Sequence, residues 1–165
     1  MTKRLSRMAL LTAIALIVHF IEAQLPPIVA IPGVKMGLSN VVTLVALLSI
    51  GWKDALCILL MRIVLSSLFA GAPMAMLYAL AGGLLAFIAM FLLLKVLSAR
   101  QIWAAGVVGA IAHNIGQMGV ALLVTETPSI LYYLPPLILA ALATGFFTGL
   151  CAQYLNRYLA RFFRQ

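Results

Sequence analysis

The sequence predicts an all-α integral membrane protein with six transmembrane helices and both termini on the cytoplasmic side. Three observations carry that prediction. Of 165 residues, 65% are hydrophobic and 8% charged, with a mean hydropathy of +1.19. A soluble domain carries about 25% charged residues, and no interior of this size hides so much apolar side chain from water. The apolar residues fall into six runs, separated by short breaks that hold glycine, proline or charge. The basic residues gather at alternate breaks, the pattern that fixes orientation in a bilayer.

Each run is measured against the roughly 20 apolar residues that cross a membrane. The first, at about 8–24, follows Lys3, Arg4 and Arg7. This opening is built like a signal peptide, but Ile21 stands where cleavage before Gln24 needs a small residue, so the stretch is read as a retained helix. Pro26, Pro27, Pro32 and Gly33 then exclude regular helix. The second run, about 37–50, is short and ends in the polar turn Gly51-Trp52-Lys53-Asp54. The third, about 54–70, is stopped by Gly71-Ala72-Pro73. The fourth, about 74–94, leads into a polar connection, Lys95–Gln101. The fifth covers about 102–124. The sixth, about 130–156, has an early Pro135-Pro136 break and a basic tail. All six belong to a single polytopic domain, 1–165.

With the N-terminus inside, the cytoplasmic face carries Lys3, Arg4, Arg7, Lys53, Lys95, Arg100, Arg157, Arg161 and Arg164, and the outer face carries Lys35 alone. That asymmetry calls for an even number of spans. Trp52, Trp103, Tyr154 and Tyr158 then fall at the inner interface and Tyr132 and Tyr133 near the outer one. The net charge of +8 accordingly reads as orientation and contact with anionic lipid headgroups, not as a nucleic-acid footprint. Cys57 and Cys151 have neither metal-ligand spacing nor a secretory disulfide pattern, and are expected to be buried as small apolar side chains. No cofactor is expected. Pairs of small residues four apart, Ala9/Ala13, Ala79/Gly83, Ala112/Gly116 and Gly145/Gly149, permit close helix packing.

The candidate functional residues are the polar ones that an apolar span does not explain. Arg62 sits in ALCILLMRIVLSSLFA, about 12 Å along its helix from Asp54 at 1.5 Å per residue. A charge at that depth costs about 2.5–3.5 kcal/mol on insertion scales and needs a partner, a wet cavity or a ligand. An ion pair or carbonyl contact within the bundle would satisfy it, as would a ligand. His113, Asn114 and Gln117 lie within about one turn, with His113 and Gln117 on one face; they serve either hydrogen bonds between helices or a ligand head. His19 and Glu22 share a face near the outer end of the first span. Glu22 is either a counter-charge for Arg62 or Lys35 or an interface residue. Lys35, Ser39 and Asn40 mark the start of the second span, where a helix N-terminus favours an anion, and Tyr132 and Tyr133 open the sixth from the same side. Most of these residues map to the outer half, which suggests a pocket loaded from outside by a ligand with an anionic or carbonyl-rich head and an apolar body.

IPGVKMGLSNVVTLVAL at 31–47, the arginine-bearing third span, YALAGGLLAFIAM at 78–90, GAIAHNIGQ at 109–117 and YYLPPL at 132–137 together resemble the Gx transporter family, also labelled heptaprenyl diphosphate synthase component I. The resemblance covers nearly the whole chain through its KxGxxN and HNxGQ patterns. It implies similarity to the substrate-binding S components of energy-coupling factor transporters, which are small six-helix proteins of the bacterial cytoplasmic membrane that bind ligand near the outer face. By that likeness Ala9 and Ala13 would dock on a transmembrane coupling subunit, and partner subunits would supply ATP hydrolysis, since no Walker A sequence is present. Glu22, Lys35, Asn40, Arg62, His113, Asn114, Gln117, Tyr132 and Tyr133 would form the ligand site. The synthase label implies a different role. Prenyl diphosphate synthases hold magnesium on aspartate-rich motifs, and this chain has one aspartate, Asp54. The expectation is therefore a non-enzyme: a capture protein, or alternatively a non-catalytic accessory subunit in isoprenoid or quinone metabolism or in a membrane redox complex.

Overall fold

The structure is a computed structural model that describes residues 2–24 and 37–163, with side chains through 158. Six α-helices account for nearly all of it: α1 (Thr2–Gln24), α2 (Asn40–Ser49), α3 (Trp52–Ala70), α4 (Pro73–Leu94), α5 (Ile102–Thr125) and α6 (Leu134–Phe163), with a 3-10 helix at Pro128–Tyr133 before the last. No strand occurs among the described residues. The protein is an all-helical membrane protein.

Four segments are long and apolar enough to cross a bilayer: α1, α4, α5 and the stretch from Pro128 to Tyr158. The six-span expectation goes beyond this. α3 has the length, 19 residues, but carries Lys53, Asp54 and Arg62. α2 has only 10 residues, about 15 Å of helix, half of a hydrocarbon core.

Four helix starts differ by two residues or more from the hydropathy reading, and α6 ends at Phe163 rather than near Asn156. α1 begins at Thr2 rather than near Met8, because hydropathy delimits the membrane crossing and not the helix; Thr2–Arg7 contains no breaker. α2 begins at Asn40 rather than Gly37, because Gly37 has φ +80, a conformation open to glycine and outside any right-handed helix. α3 starts two residues early, at Trp52, directly after Gly51 at φ +94. The sixth run divides at Leu134 into the 3-10 turn and α6, whose Pro135 and Pro136 lie in the first turn, where a missing N–H breaks no helical bond.

Helices successive in the chain alternate in direction, so α1 and α3, packed together, run parallel. At one end Arg4 of α1 donates its Nε to Asp54 Oδ2 of α3 at 2.8 Å and also pairs through Nη2 with Oδ1. There Trp52 lies 6.0 Å from Phe91, which Lys95 covers at 4.5 Å. The backbone N–H of Trp103 donates to Gln153 Oε1 of α6 at 3.3 Å. At the opposite end Phe20 of α1 meets Phe69 of α3 at 6.4 Å. Arg4, Lys53, Lys95 and Arg157 thus share one end.

α2 touches every other helix and has no exposed residue. Its circumference, apolar from Val42 to Leu47 but for Thr43, suits a helix enclosed on all sides. α5 packs chiefly on α4 and α6, through glycines. A methyl group at Gly116 would fall 2.6 Å from the Ala81 carbonyl oxygen of α4, and one at Gly145 would fall 2.7 Å from Val107 Cα of α5. Lipid cannot drive helices together as water does, so such backbone approach is what holds them. Of the anticipated small-residue pairs, Gly145/Gly149 and Gly116 make these contacts. Ala9 and Ala13 face outward, and Gly83 packs on Ile63 and Leu59 of α3. Cys57 is exposed and Cys151 half-buried, against the expectation that both are buried; each lies on a helix flank that an apolar solvent can cover.

Candidate functional site

The site is built where the glycine-requiring turn before α2 meets α1, α3 and α5. The first N–H groups of a helix have no partner within it. In α2 those of Asn40, Val41 and Val42 donate to the Gly37, Leu38 and Ser39 carbonyls, and the turn they bond is itself held from α1: Glu22 Oε1 accepts the Gly37 N–H at 2.5 Å and Oε2 accepts that of Ser39 at 3.4 Å. A carboxylate at a helix N-terminus also meets the positive end of the helix dipole. Ser39 directly precedes α2, yet its hydroxyl caps nothing in α2; it accepts from Nη1 of Arg62, at 2.5 Å. Ser39 therefore stands between the acidic side chain and the basic one, and Glu22 bonds backbone instead of forming an ion pair with Arg62.

Arg62 is 2% exposed. Among the described residues its Nε and Nη2 have no hydrogen-bond partner. It lines a cavity of about 40 Å³ together with His19 of α1, Ser66, Ser67 and Ala70 of α3, Ala75 and Ala79 of α4, and His113 and Gln117 of α5. Such a volume has room for a few water molecules and is far below the roughly 300 Å³ at which drug-sized pockets begin. His113 is held from two sides. A methyl at Gly37 would lie 3.0 Å from its Cδ2, and one at Gly82 would lie 2.9 Å from its Nδ1 and 2.8 Å from its carbonyl oxygen. Nδ1 lies against the Gly82 backbone without hydrogen-bond geometry. Asn40, one layer behind, leaves both polar atoms of its amide unpartnered.

The structure brings together Arg62, His113 and Gln117 around the cavity, with Glu22 and Asn40 behind them. It turns Asn114 away: its Nδ2 donates to the Leu137 carbonyl of α6 at 2.8 Å, just past Pro135-Pro136, because a one-residue step from His113 rotates a side chain by about 100° on a helix of 3.6 residues per turn. Tyr132 and Tyr133 are 84% and 47% exposed and do not line the cavity. Lys35 lies outside the described residues. Ser66 and Ser67 were not anticipated as site residues. Ser66 follows Arg62 by four positions and so shares its face, a usable signal, but its hydroxyl donates to the Ile63 carbonyl of its own helix at 3.1 Å, so serine sits in an apolar run at little cost. Ala70, Ala75 and Ala79 give no signal that separates a cavity wall from packing. Among the described residues no group of three histidine, cysteine or carboxylate side chains forms that would hold a metal.

Chemically the arrangement can accept negative charge or carbonyl oxygen: a buried cation with donors unpartnered among the described residues, beside imidazole and amide groups and a wall of alanines. No carboxylate lines it.

Residues 11–155 match the family described as heptaprenyl diphosphate synthase component I, and the chain belongs to that family. No curated protein and no solved structure matches the chain.

Proposed function

We propose that this chain is a membrane-embedded capture protein for a small ligand with an anionic or carbonyl-rich head, resembling an S component in its manner of working. The observation that carries the reading is Arg62, a buried guanidinium at a cavity with two donors unpartnered. Structural burial of a charge calls for complete pairing, and an arginine held for ligand does not. The gathering of Arg4, Lys53, Lys95 and Arg157 at one end supports a cytoplasmic location for that end and for both termini, in a bacterial cytoplasmic membrane. The cavity, bordered by the last turns of α1 and α3 and the first of α4, then opens toward the outer half. On this reading α2 and α3 complete six spans. Exposed Ala9 and Ala13 on α1 are the place for a coupling subunit that brings ATPases.

A second reading is favoured by family membership: a non-catalytic membrane accessory to a prenyl synthase, holding a lipid-like or quinone ligand in the same cavity. The two separate on one experiment. The protein is purified in mild detergent and co-purifying small molecules are identified by mass spectrometry. A water-soluble nutrient supports capture for uptake; a polyprenyl or quinone species supports the accessory role. If Arg62→Ala and Gln117→Ala leave both ligand retention and thermal stability unchanged, the site assignment is wrong. Co-purification of an ATPase pair, lost when Ala9 and Ala13 are changed to leucine, tests the coupling partner.

A further inference from the structure

The nitrogens that Arg62 leaves unpartnered are not interchangeable with the one it uses. Nη1 is held by Ser39; Nε and Nη2 are without partners among the described residues. Those two lie on the same side of a guanidinium with their N–H bonds parallel, which is the fork that takes both oxygens of one planar oxyanion. Because Ser39 takes Nη1, both hydrogens of that side-on fork stay available. Ser39 is itself buried and fixed through its N–H to Glu22, so the protein sets the direction of the fork before any ligand arrives.

Charge narrows the oxyanion further. Among the described residues lining the cavity Arg62 is the sole cation, and Glu22 is tied to the backbone at 37–39. One negative charge neutralises Arg62; a second would lie uncompensated in apolar surroundings. The cavity, about 40 Å³, takes a carboxylate beside Arg62 in place of the few waters it has room for. Alanines 70, 75 and 79 line part of the same space, which suits a flat or aliphatic body next to the charge.

We infer that the group recognised here is a single carboxylate, gripped side-on by Nε and Nη2 of Arg62, and not a phosphate or diphosphate. This rests on the capture reading and specifies its ligand class.

The test is titration of the full chain in lipid nanodiscs with four soluble probes: benzoate, benzamide, phenyl phosphate and pyrophosphate. Benzoate is expected to bind at least tenfold more tightly than each of the others. Arg62→Lys, which keeps the charge and loses the fork, is expected to weaken benzoate at least tenfold while the thermal transition of the variant reports that it is folded. Should that variant not fold, the order of the four probes on the wild-type protein decides alone. Phenyl phosphate or pyrophosphate binding as tightly as benzoate overturns the carboxylate assignment and leaves anion capture standing, and benzamide matching benzoate overturns the role of charge. Failure of all four probes to bind the wild-type protein overturns both the assignment and the capture reading beneath it.

Discussion

Arg62 of α3 donates through Nη1 to the hydroxyl of Ser39, the residue directly before α2. The bond ties the most deeply placed charge of the bundle to the start of its most enclosed helix. Ser39→Ala therefore leaves a third guanidinium nitrogen without a partner, and destabilisation of about 1–3 kcal/mol is expected. In an Arg62→Met background the same substitution should have little effect. Thermal unfolding of the four proteins as a double-mutant cycle measures the coupling, and independent effects of the two changes would show that the bond contributes nothing.

Glu22→Gln keeps the shape of the side chain and removes its charge. It weakens acceptance from the Gly37 and Ser39 N–H groups and the interaction with the helix dipole, for a loss of about 1–2 kcal/mol, or about 2–8 °C in the midpoint at this chain length. The measurement is the midpoint in detergent for Glu22→Gln beside Glu126→Gln, whose residue lies at the exposed C-terminal end of α5 and should leave the midpoint unchanged.

Gly37→Ala meets two obstacles together. The residue has φ +80, and the added methyl would come within 2.9 Å of Asn40 Nδ2 and 3.0 Å of His113 Cδ2. Strain of about 1–3 kcal/mol is expected, together with lower ligand retention, because the ring of His113 must shift. A variant as stable and as ligand-loaded as the parent would show that the turn before α2 is free to rearrange.

The glycines of α5 and α6 should divide sharply. Gly149→Ala drives a methyl into the Trp103 backbone, within 2.8 Å of its Cα, whereas nothing lies within 4 Å of a methyl at Gly119. Gly149→Ala is expected to destabilise by about 1–3 kcal/mol through overpacking. Gly119→Ala should be neutral, or stabilising by up to about 1 kcal/mol from helix propensity alone. Parallel thermal melts give the comparison; equal effects would mean that α5 and α6 are not held by backbone contact.

Much of this architecture was legible because hydropathy and breakers report solvent and chain geometry directly. Gly71-Ala72-Pro73 stops one helix and starts the next, and Pro135 marks the first turn of α6. The limits of α2 were not legible, since the enclosed residues of a short helix and the tail of a longer span have the same composition; only the φ of Gly37 separates them. In the site, Arg62, His113 and Gln117 stood out because an apolar helix cannot otherwise explain them. Asn114 stood out equally and faces α6, because polarity in a membrane reveals the need for a partner and not which neighbour supplies it. The alanines of the wall and Ser67 were silent, and Ser66 signalled only through its spacing of four from Arg62: small side chains that bond their own helix, or nothing, read as filler whether or not they border a cavity.

The enclosure of α2 also bears on how the chain tolerates change. Each of the other five helices presents some residues outward, where one apolar side chain replaces another without displacing a neighbour. α2 has no such flank. A scan of substitutions along Asn40–Ser49 should find no permissive stripe at helical periodicity, and inserting or deleting one residue there would rotate the whole cylinder by about 100° against five partners at once. Length changes that accumulate elsewhere in the chain have nowhere to go in this segment.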